Sequence, residues 1–247
     1  MKPSKVVIDF FSGLDGWSQG FDNSWLIISV ELNDKLDFPK LRSNQVRLMY
    51  DILDPNLEKV IWSILDEYGF NEIDLILASP PCQGYSIASC GTHWTPPPVR
   101  EPKTEKAKLA VKMVKRTLSL IGILCPNWFI IENPRGLLRK MPFMDGLKLK
   151  TIWLCQYDDI RAKPTDLWSN LYNKPTNVWY KLHNKWDPRP QCKNYRYDEE
   201  GNIIDKHCNH EAARRGAKTG TQGVKGNALR SRLPYELSKE VADLFKR

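Results

Sequence analysis

Two short segments carry side chains that could do covalent chemistry. Cys82 follows a proline pair, Pro80 and Pro81, which fixes the backbone immediately before the thiol. A cysteine held in a rigid loop at the end of an apolar strand is well placed as a nucleophile if its thiolate is favoured. Glu132 ends another apolar strand, NWFIIENP, and its carboxyl group could reach the same pocket. The alternative is that Cys82 is a small buried hydrophobic residue.

Three other strand ends carry residues suited to binding a nucleoside. The first strand runs into DFFSGLDGWSQGF, where Gly13 and Gly16 permit a tight turn and a close approach of a ligand to the backbone. The second strand ends in Glu31, and an acid about twenty residues after such a turn usually contacts ribose hydroxyls. Asp51 ends the third strand. Together they favour a nucleoside-type cofactor, the alternative being that both acids only cap helices.

Alternating strands and helices must position these residues. Apolar runs predict the strands KVVIDFF, SWLIISVEL, VRLMYDILD, IDLILAS and NWFIIENP. Helical spacing predicts helices in PNLEKVIWSILDEYGF, in TEKAKLAVKMVKRTLSLIGIL with Thr104 as N-cap, and in LPYELSKEVADLF. Strands and helices in alternation favour an α/β fold, with a parallel sheet covered by helices on both faces.

Composition and charge narrow the class of protein. The 247 residues are 41% hydrophobic and 27% charged, as expected of a globular domain. No apolar run approaches the roughly 18 residues of a membrane helix, so we expect no membrane partner. Asp9 interrupts the N-terminal apolar stretch, which is too short for the core of a signal peptide. We therefore expect an intracellular protein with unpaired cysteines.

The positive charge is concentrated in one part of the chain. Residues 170–232 carry thirteen Lys and Arg against six Asp and Glu, a balance of +7 out of a total of +8. The segment KLHNKWDPRPQCKNYRY interleaves basic residues with Trp186, Tyr195 and Tyr197, which could contact phosphates or stack on bases. The pattern suggests a polyanion partner, most often a nucleic acid, and the alternative is a solvated basic surface.

Taken in order, these motifs resemble those of the C5-cytosine-specific DNA methyltransferases. DFFSGLDGWSQGF is similar to the first motif of the family, Glu31 to the second, and Asp51 with Ile52 to the third. SPPCQGYS resembles the proline-cysteine motif and IIENPRG the Glu-Asn motif. The resemblance covers most of residues 5–170, although Asp15 stands where the family usually has a second glycine and Pro134 where it has valine.

The resemblance implies S-adenosylmethionine as the cofactor and assigns residues to it. Phe11 would stack on the adenine, and the turn from Gly13 to Gly16 would lie near the methionine end. Glu31 would hold the ribose hydroxyls, and Asp51 with Ile52 would hold the adenine.

The same resemblance assigns the catalytic residues. Cys82 would attack C6 of cytosine, and Glu132 would hydrogen-bond the ring at N3 and the amino group. DDIRAKPTDLW loosely matches a later basic motif, in which Arg161 and Lys163 would point the same way from a strand. Arg161 would brace the cytosine carbonyl or Glu132.

The fold class implied is a doubly wound, Rossmann-like methyltransferase sheet with a small basic target-recognition insert. Residues 1–170 and 229–247 would form the catalytic domain and residues 171–228 the target-recognition region. The expected partner is double-stranded DNA, with the target base flipped out, and the expected state is a monomer. Methylation of RNA and a non-catalytic DNA-binding paralogue are the alternatives.

A structural zinc ion is a separate hypothesis. Cys192 and Cys208 flank a predicted hairpin, YRYDEEGNIID, and His210 adjoins the second cysteine. These three residues and one further ligand could hold zinc in a segment with little core of its own. The alternative is two free cysteines and surface histidines.

If residues 171–228 read nucleic acid, their charge should govern affinity. Replacing Arg214 and Arg215 by alanine should weaken binding to every DNA sequence and lower the salt slope by about one per lost phosphate contact. Dissociation constants measured at several salt concentrations test this, with S-adenosylmethionine affinity as the control. An unaltered affinity and slope would show that the segment is a passive insert.

Overall fold

A computed structural model describes residues 2–87, 90–161, 163–172, 186–189, 192, 196–197, 200, 203–205, 229 and 231–246. The strands are β1 (Lys5–Phe10), β2 (Trp25–Glu31), β3 (Gln45–Met49), β4 (Leu75–Ala78), β5 (Trp128–Pro134), β6 (Leu149–Trp153), β7 (Pro164–Ser169), β8 (Arg196–Tyr197) and β9 (Ile203–Asp205). The helices are α1 (Leu57–Tyr68), α2 (Cys90–His93), α3 (Glu105–Leu124) and α4 (Tyr235–Asp243). The predicted strands and long helices are confirmed, except that β3 ends two residues before Asp51.

A seven-stranded sheet in the order β3-β2-β1-β4-β5-β7-β6 forms the centre of the fold. The first five strands in that order are parallel, as predicted. β7 is antiparallel to both of its neighbours, which the sequence analysis did not predict. The connection between β6 and β7 is shorter than the dozen or so residues that a parallel crossover requires, so the two strands form a hairpin.

Both faces of the sheet are buried, and alternate residues of each strand divide between them. Along β1, Ile8 and Phe10 pack into the core that contains α1 and α3. Val7 packs into the opposite core, which contains Leu237 and Val241 of α4. Helices therefore cover both faces, and the predicted α/β architecture is confirmed.

The helices begin and end where the sequence predicts. Thr104 is the N-cap of α3, and its side chain accepts a hydrogen bond from the amide of Ala107. Gly69 ends α1 in the left-handed region, with φ +79°, where glycine avoids the steric cost of a side chain.

The C-terminal helix returns to the main domain through close backbone packing. A Cβ atom on Gly20 would lie 2.4 Å from the amide nitrogen of Lys239, so only glycine fits there. The amide of Gly20 donates a hydrogen bond of 2.8 Å to Ser238 Oγ, which fixes α4 against the turn that follows β1.

The structure corrects the expectation for Trp186. The residue is only 3% exposed, and its ring lies 5.9 Å from that of Tyr172. Its indole nitrogen donates to Glu240 of α4 at 2.9 Å. Because the ring is buried and its polar atom is bonded, Trp186 belongs to the core and is not a base-stacking residue.

Part of residues 171–228 can be compared with the sequence predictions. β8 and β9 pair antiparallel, which confirms the predicted hairpin. Cys208, His210, Arg214 and Arg215 lie outside the described residues, and the division into two domains remains a prediction. Within the described ranges, no helix combines the length and the apolar character needed to cross a membrane.

Asp9 is a carboxyl group buried in the middle of the sheet. It is fully buried on β1, and neither oxygen makes a well-formed hydrogen bond within the described part of the chain. Burial, and then the nearby carboxylate of Asp15, raise the pKa of Asp9 well above its usual value, and Ser18 offsets only part of this. The folded state therefore binds this proton more tightly than the unfolded state does.

Stability should consequently fall as the pH rises from the unfolded pKa of Asp9 through its higher folded pKa. We expect Asp9→Asn to raise Tm at pH 8 by about 2–4 °C for each kcal/mol gained in the free energy of unfolding. Near pH 4 the substitution should change Tm little. Thermal unfolding of both proteins across this pH range provides the measurement. An equal gain at every pH would mean that ionisation of Asp9 is not the cause.

Candidate active site

The turn after β1 adopts a backbone that few residues tolerate. Phe11 and Gly13 have φ values of +60° and +53°, in the left-handed region. The amide of Gly13 donates a hydrogen bond of 2.9 Å to Oε2 of Glu31. The turn is thereby tied to the end of β2.

Glu31 is held by three backbone amides. Besides Gly13, the amides of Leu32 and Asn33 donate to its Oε1 at 3.0 and 2.9 Å. A carboxylate fixed in this way presents its remaining lone pairs in a defined direction.

A cavity of about 220 Å³ opens beside this carboxylate. It is lined by Phe11, Val30, Glu31, Leu32, Asn33, Tyr50, Asp51, Ile52, Pro81 and Met113. Four of the six residues predicted to bind the cofactor therefore line one cavity: Phe11, Glu31, Asp51 and Ile52. Pro81, which precedes Cys82, lines the same cavity. Apolar walls with two carboxyl groups at the rim fit an adenosyl group, which offers a flat ring and a diol.

Gly16 serves a different contact from the one expected. It does not line the cavity, and a Cβ atom on it would lie 2.8 Å from the amide nitrogen of Leu233. The close approach at Gly16 is therefore made by the segment that leads into α4.

Asp15, the departure from the family pattern, is accommodated by an ion pair. Its φ is +57°, and it is 4% exposed. Its Oδ2 accepts hydrogen bonds from Arg47 at 2.5 Å and from Gln45 at 3.0 Å. Both partners lie on β3, so the turn after β1 is fastened to a second strand.

Cys82 begins a single 3-10 turn, Cys82–Gly84, immediately after the proline pair. The side-chain amide of Asn133 donates to the carbonyl of Pro80 at 2.8 Å, and the indole of Trp94 donates to the carbonyl of Gly84 at 2.6 Å. The nucleophile candidate is therefore held from both sides. Trp94 also gives order to part of the long loop after Cys82.

Glu132 lies on β5 and is 4% exposed. Burial raises its pKa above the usual value, as does Asp166, while Lys163 and a hydrogen bond from the Ser79 side chain lower it. Its Oε1 is buried without a hydrogen-bond partner among the described residues. A carboxyl group in this state keeps its proton to a higher pH than a solvated one does, and it could donate that proton to a base in the site.

Burial also raises the pKa of the Cys82 thiol, and the neighbouring Glu132 carboxylate raises it further. Lys163 and Lys106 act in the opposite direction. β4 and β5 pair in parallel, and Asn133 is hydrogen-bonded to Pro80, so the segments that carry Cys82 and Glu132 leave the sheet at the same edge.

The basic motif is placed differently from the prediction. β7 begins at Pro164, so Arg161 and Lys163 precede the strand. The carboxylate of Asp159 accepts hydrogen bonds from the backbone amide and the guanidinium of Arg161, and these bonds fix a bend. Lys163 is the cation that lowers the pKa of both Cys82 and Glu132, and the role of Arg161 stays a prediction.

The zinc hypothesis stays a prediction as well. Cys192 is described and buried, whereas Cys208 and His210 are not described. No group of three candidate metal ligands occurs in the part of the chain that the structure covers.

Comparisons with known proteins agree with the site. The family model for the C-5 cytosine-specific DNA methylase matches residues 6–144, which hold Cys82, Glu132 and all the cavity residues. The chain belongs to this family. Its curated relatives include the Type II methyltransferase M1.HphI of Haemophilus parahaemolyticus, 30% identical over 139 residues, or 53% of this chain and 32% of that protein.

A second relative is the Type II methyltransferase M.DdeI of Desulfomicrobium norvegicum. It is 28% identical over 138 residues, which are 53% of this chain and 28% of that protein. Each match thus spans about a third of the relative or less. The family model ends at residue 144, before the basic segment begins.

Four supporting residues were missed by the sequence analysis: Ser79, Trp94, Asn133 and, in its role, Lys163. Asn133 could have been noticed, because a polar residue beside Glu132 at a buried strand end needs a hydrogen-bond partner. Ser79 carries no comparable signal, since its partner Trp17 lies 62 residues away in the sequence. Trp94 carries none either, because it lies in a loop without periodicity.

Lys163→Gln should slow alkylation of Cys82 by iodoacetamide at pH 7.5 roughly threefold or more, because the thiolate loses its main cationic neighbour. The rate can be followed by mass spectrometry of the peptide that contains Cys82. Lys150→Gln is the matched control, because Lys150 pairs with Asp187 on the surface. If Arg161→Gln slowed alkylation and Lys163→Gln did not, Arg161 and not Lys163 would be the cation that favours the Cys82 thiolate.

Proposed function

We propose that the protein transfers a methyl group from S-adenosylmethionine to C5 of cytosine in DNA. The observation that carries this proposal is that the segments bearing Cys82 and Glu132 leave neighbouring parallel strands at one edge of the sheet, where Pro81 also lines a cavity suited to an adenosyl group. Family membership supports the same reaction class.

The cavity residues would hold the cofactor. Phe11 and Ile52 offer apolar surfaces for the adenine, Asp51 an acceptor for it, and Glu31 an acceptor for the ribose hydroxyls. Gly13 keeps Glu31 in place and lies nearer the methionine end. When bound, S-adenosylmethionine supplies an electrophilic methyl group.

Cys82 and Glu132 would activate the base. C5 of cytosine is a poor nucleophile until a nucleophile adds at C6, so the Sγ–C6 bond forms first. As it forms, the C5–C6 double bond shifts electrons toward N3, and protonated Glu132 donates its proton there. The resulting enamine is nucleophilic at C5. Lys163 favours the thiolate form of Cys82, which carries out the first step of the reaction.

Release of the product would reverse the activation. After C5 has gained the methyl group, a base removes the C5 proton and the C5–C6 double bond forms again. The Sγ–C6 bond breaks, Cys82 leaves as thiolate, and the proton on N3 returns to Glu132. No atom of the protein is consumed.

The substrate must leave the double helix to react. Cys82 has to approach a ring face that is covered by stacked neighbours in duplex DNA, so the base must be flipped out. Residues 171–228 would supply the sequence recognition. We further propose that the protein works as a monomer inside the cell, where its DNA substrate lies.

Cys82→Ser should abolish methyl transfer while S-adenosylmethionine affinity stays near wild type, because a hydroxyl is far less ionised than a thiol at neutral pH. Covalent trapping on 5-fluorocytosine tests the same step, since fluorine at C5 cannot leave as a proton. The wild type should form a stable adduct with duplex DNA that contains the analogue, and Cys82→Ser should form none.

Two other outcomes would replace the proposal. Trapping on RNA alone would establish an RNA methyltransferase with the same chemistry. DNA binding without trapping or turnover would establish a non-catalytic paralogue. Methyl transfer by the serine variant at more than a tenth of the wild-type rate would remove Cys82 from the mechanism.

A further inference from the structure

Glu132 has a neighbour that the proposed mechanism does not use. β4 and β5 pair in parallel with Ala78 opposite Ile131, so the next residues, Ser79 and Glu132, lie side by side. The amide of Ser79 donates to the carbonyl of Phe10 at 3.2 Å, which keeps the chain extended beside β1 after β4 has ended. The Ser79 hydroxyl is therefore fixed next to the buried carboxyl group.

A second buried group determines how that hydroxyl points. The indole nitrogen of Trp17 donates a hydrogen bond of 3.0 Å to Ser79 Oγ. An indole N–H can only donate, and a serine hydroxyl has a single proton. Because Ser79 Oγ accepts from Trp17, its own proton is free to bond the carboxyl group of Glu132.

Trp17 is itself fixed by the C-terminal helix. Its ring is 2% exposed, and its backbone carbonyl accepts a hydrogen bond from the hydroxyl of Ser238 on α4. The same Ser238 Oγ accepts from the amide of Gly20. The backbone of Trp17 is therefore fixed to α4, and packing of its buried ring within the core keeps the indole in place.

We propose that Trp17 and Ser79 form a positioning relay for Glu132, in which the indole orients the hydroxyl and the hydroxyl orients the carboxyl group toward the substrate base. The relay rests on the proposed function, since it serves the proton donor of that reaction. The Ser79 hydroxyl is a hydrogen-bond partner of the Glu132 carboxyl group. The buried Oε1, which has no partner among the described residues, would then be the atom that binds the base.

The groups around Glu132 determine the direction in which Ser79→Ala should shift its pKa. Lys163 and the Ser79 hydroxyl favour the ionised carboxylate, whereas burial and Asp166 disfavour it. The Cys82 thiol is the other titrating neighbour. Ser79→Ala removes one favourable partner and leaves the others, so protonated Glu132 should persist to higher pH.

Infrared spectra of the free protein against pH provide a readout that needs no turnover. The carboxyl stretch of protonated Glu132 is identified by its absence in Glu132→Gln. Its titration midpoint should move to higher pH in Ser79→Ala and, by less, in Trp17→Phe. Adding Trp17→Phe to Ser79→Ala should move it no further, because residues that act through one another are not additive.

Single-turnover methyl transfer supplies the second readout. We expect the rate to fall roughly tenfold or more in Ser79→Ala, the scale of a lost hydrogen bond to a charged group, while S-adenosylmethionine affinity is kept. Trp25→Phe and Ser169→Ala are matched controls. Trp25 is a tryptophan buried equally well that packs on Phe21, and the Ser169 hydroxyl donates to the carbonyl of Phe129.

The controls should lower Tm without moving the midpoint. An unchanged midpoint in Ser79→Ala, or a Trp17→Phe effect that persists in the Ser79→Ala background, would overturn the relay. A wild-type protein without methyl transfer would overturn the proposed function instead, and the infrared result would then show whether the hydrogen bonds alone exist.

Discussion

Parallel pairing of β4 with β5 is the constraint on which the site depends. Their carboxyl ends meet at one edge of the sheet, so the segment from Ser79 to Cys82 begins beside the end of β5. A slip of one residue would turn Glu132 to the opposite face of the sheet. Hydrogen bonds from Asn133 to Pro80 and from Trp94 to Gly84 preserve the arrangement beyond the last strand residue.

Proximity and burial give this pair a shared electrostatic character. Each group is harder to ionise because it is buried, and an ionised Glu132 makes the Cys82 thiolate still less favourable. A thiolate therefore forms more readily beside a protonated Glu132 than beside an ionised one, and this is the combination that the proposed attack at C6 would need. Lys163 stabilises the anion in either arrangement, which explains why a cation stands at the start of β7.

The fold and the candidate site residues could be predicted from the sequence because both follow from short-range patterns, and the fold is confirmed. Apolar runs located β1, β2, β4 and β5, and the residues just beyond them follow from strand polarity. Ser79, whose role depends on a partner distant in the sequence, and Trp94, which lies in a loop without periodicity, gave no such signal. Arg161 was placed on a strand because alternation was visible, whereas the capture of its backbone by Asp159 was not. Trp186 looked exposed because its neighbours in the sequence are polar, yet α4 covers it.

The identity of the methylated nucleoside tests the central claim most directly. Duplex DNA is incubated with the purified protein and S-adenosylmethionine, digested to nucleosides and analysed by chromatography with mass spectrometry. The account predicts 5-methyldeoxycytidine from the wild type and none from the variant without the Cys82 thiol. Methylation at N4 of cytosine or on adenine would contradict it, because neither reaction needs a thiolate at C6, and so would an equal yield of 5-methyldeoxycytidine from that variant.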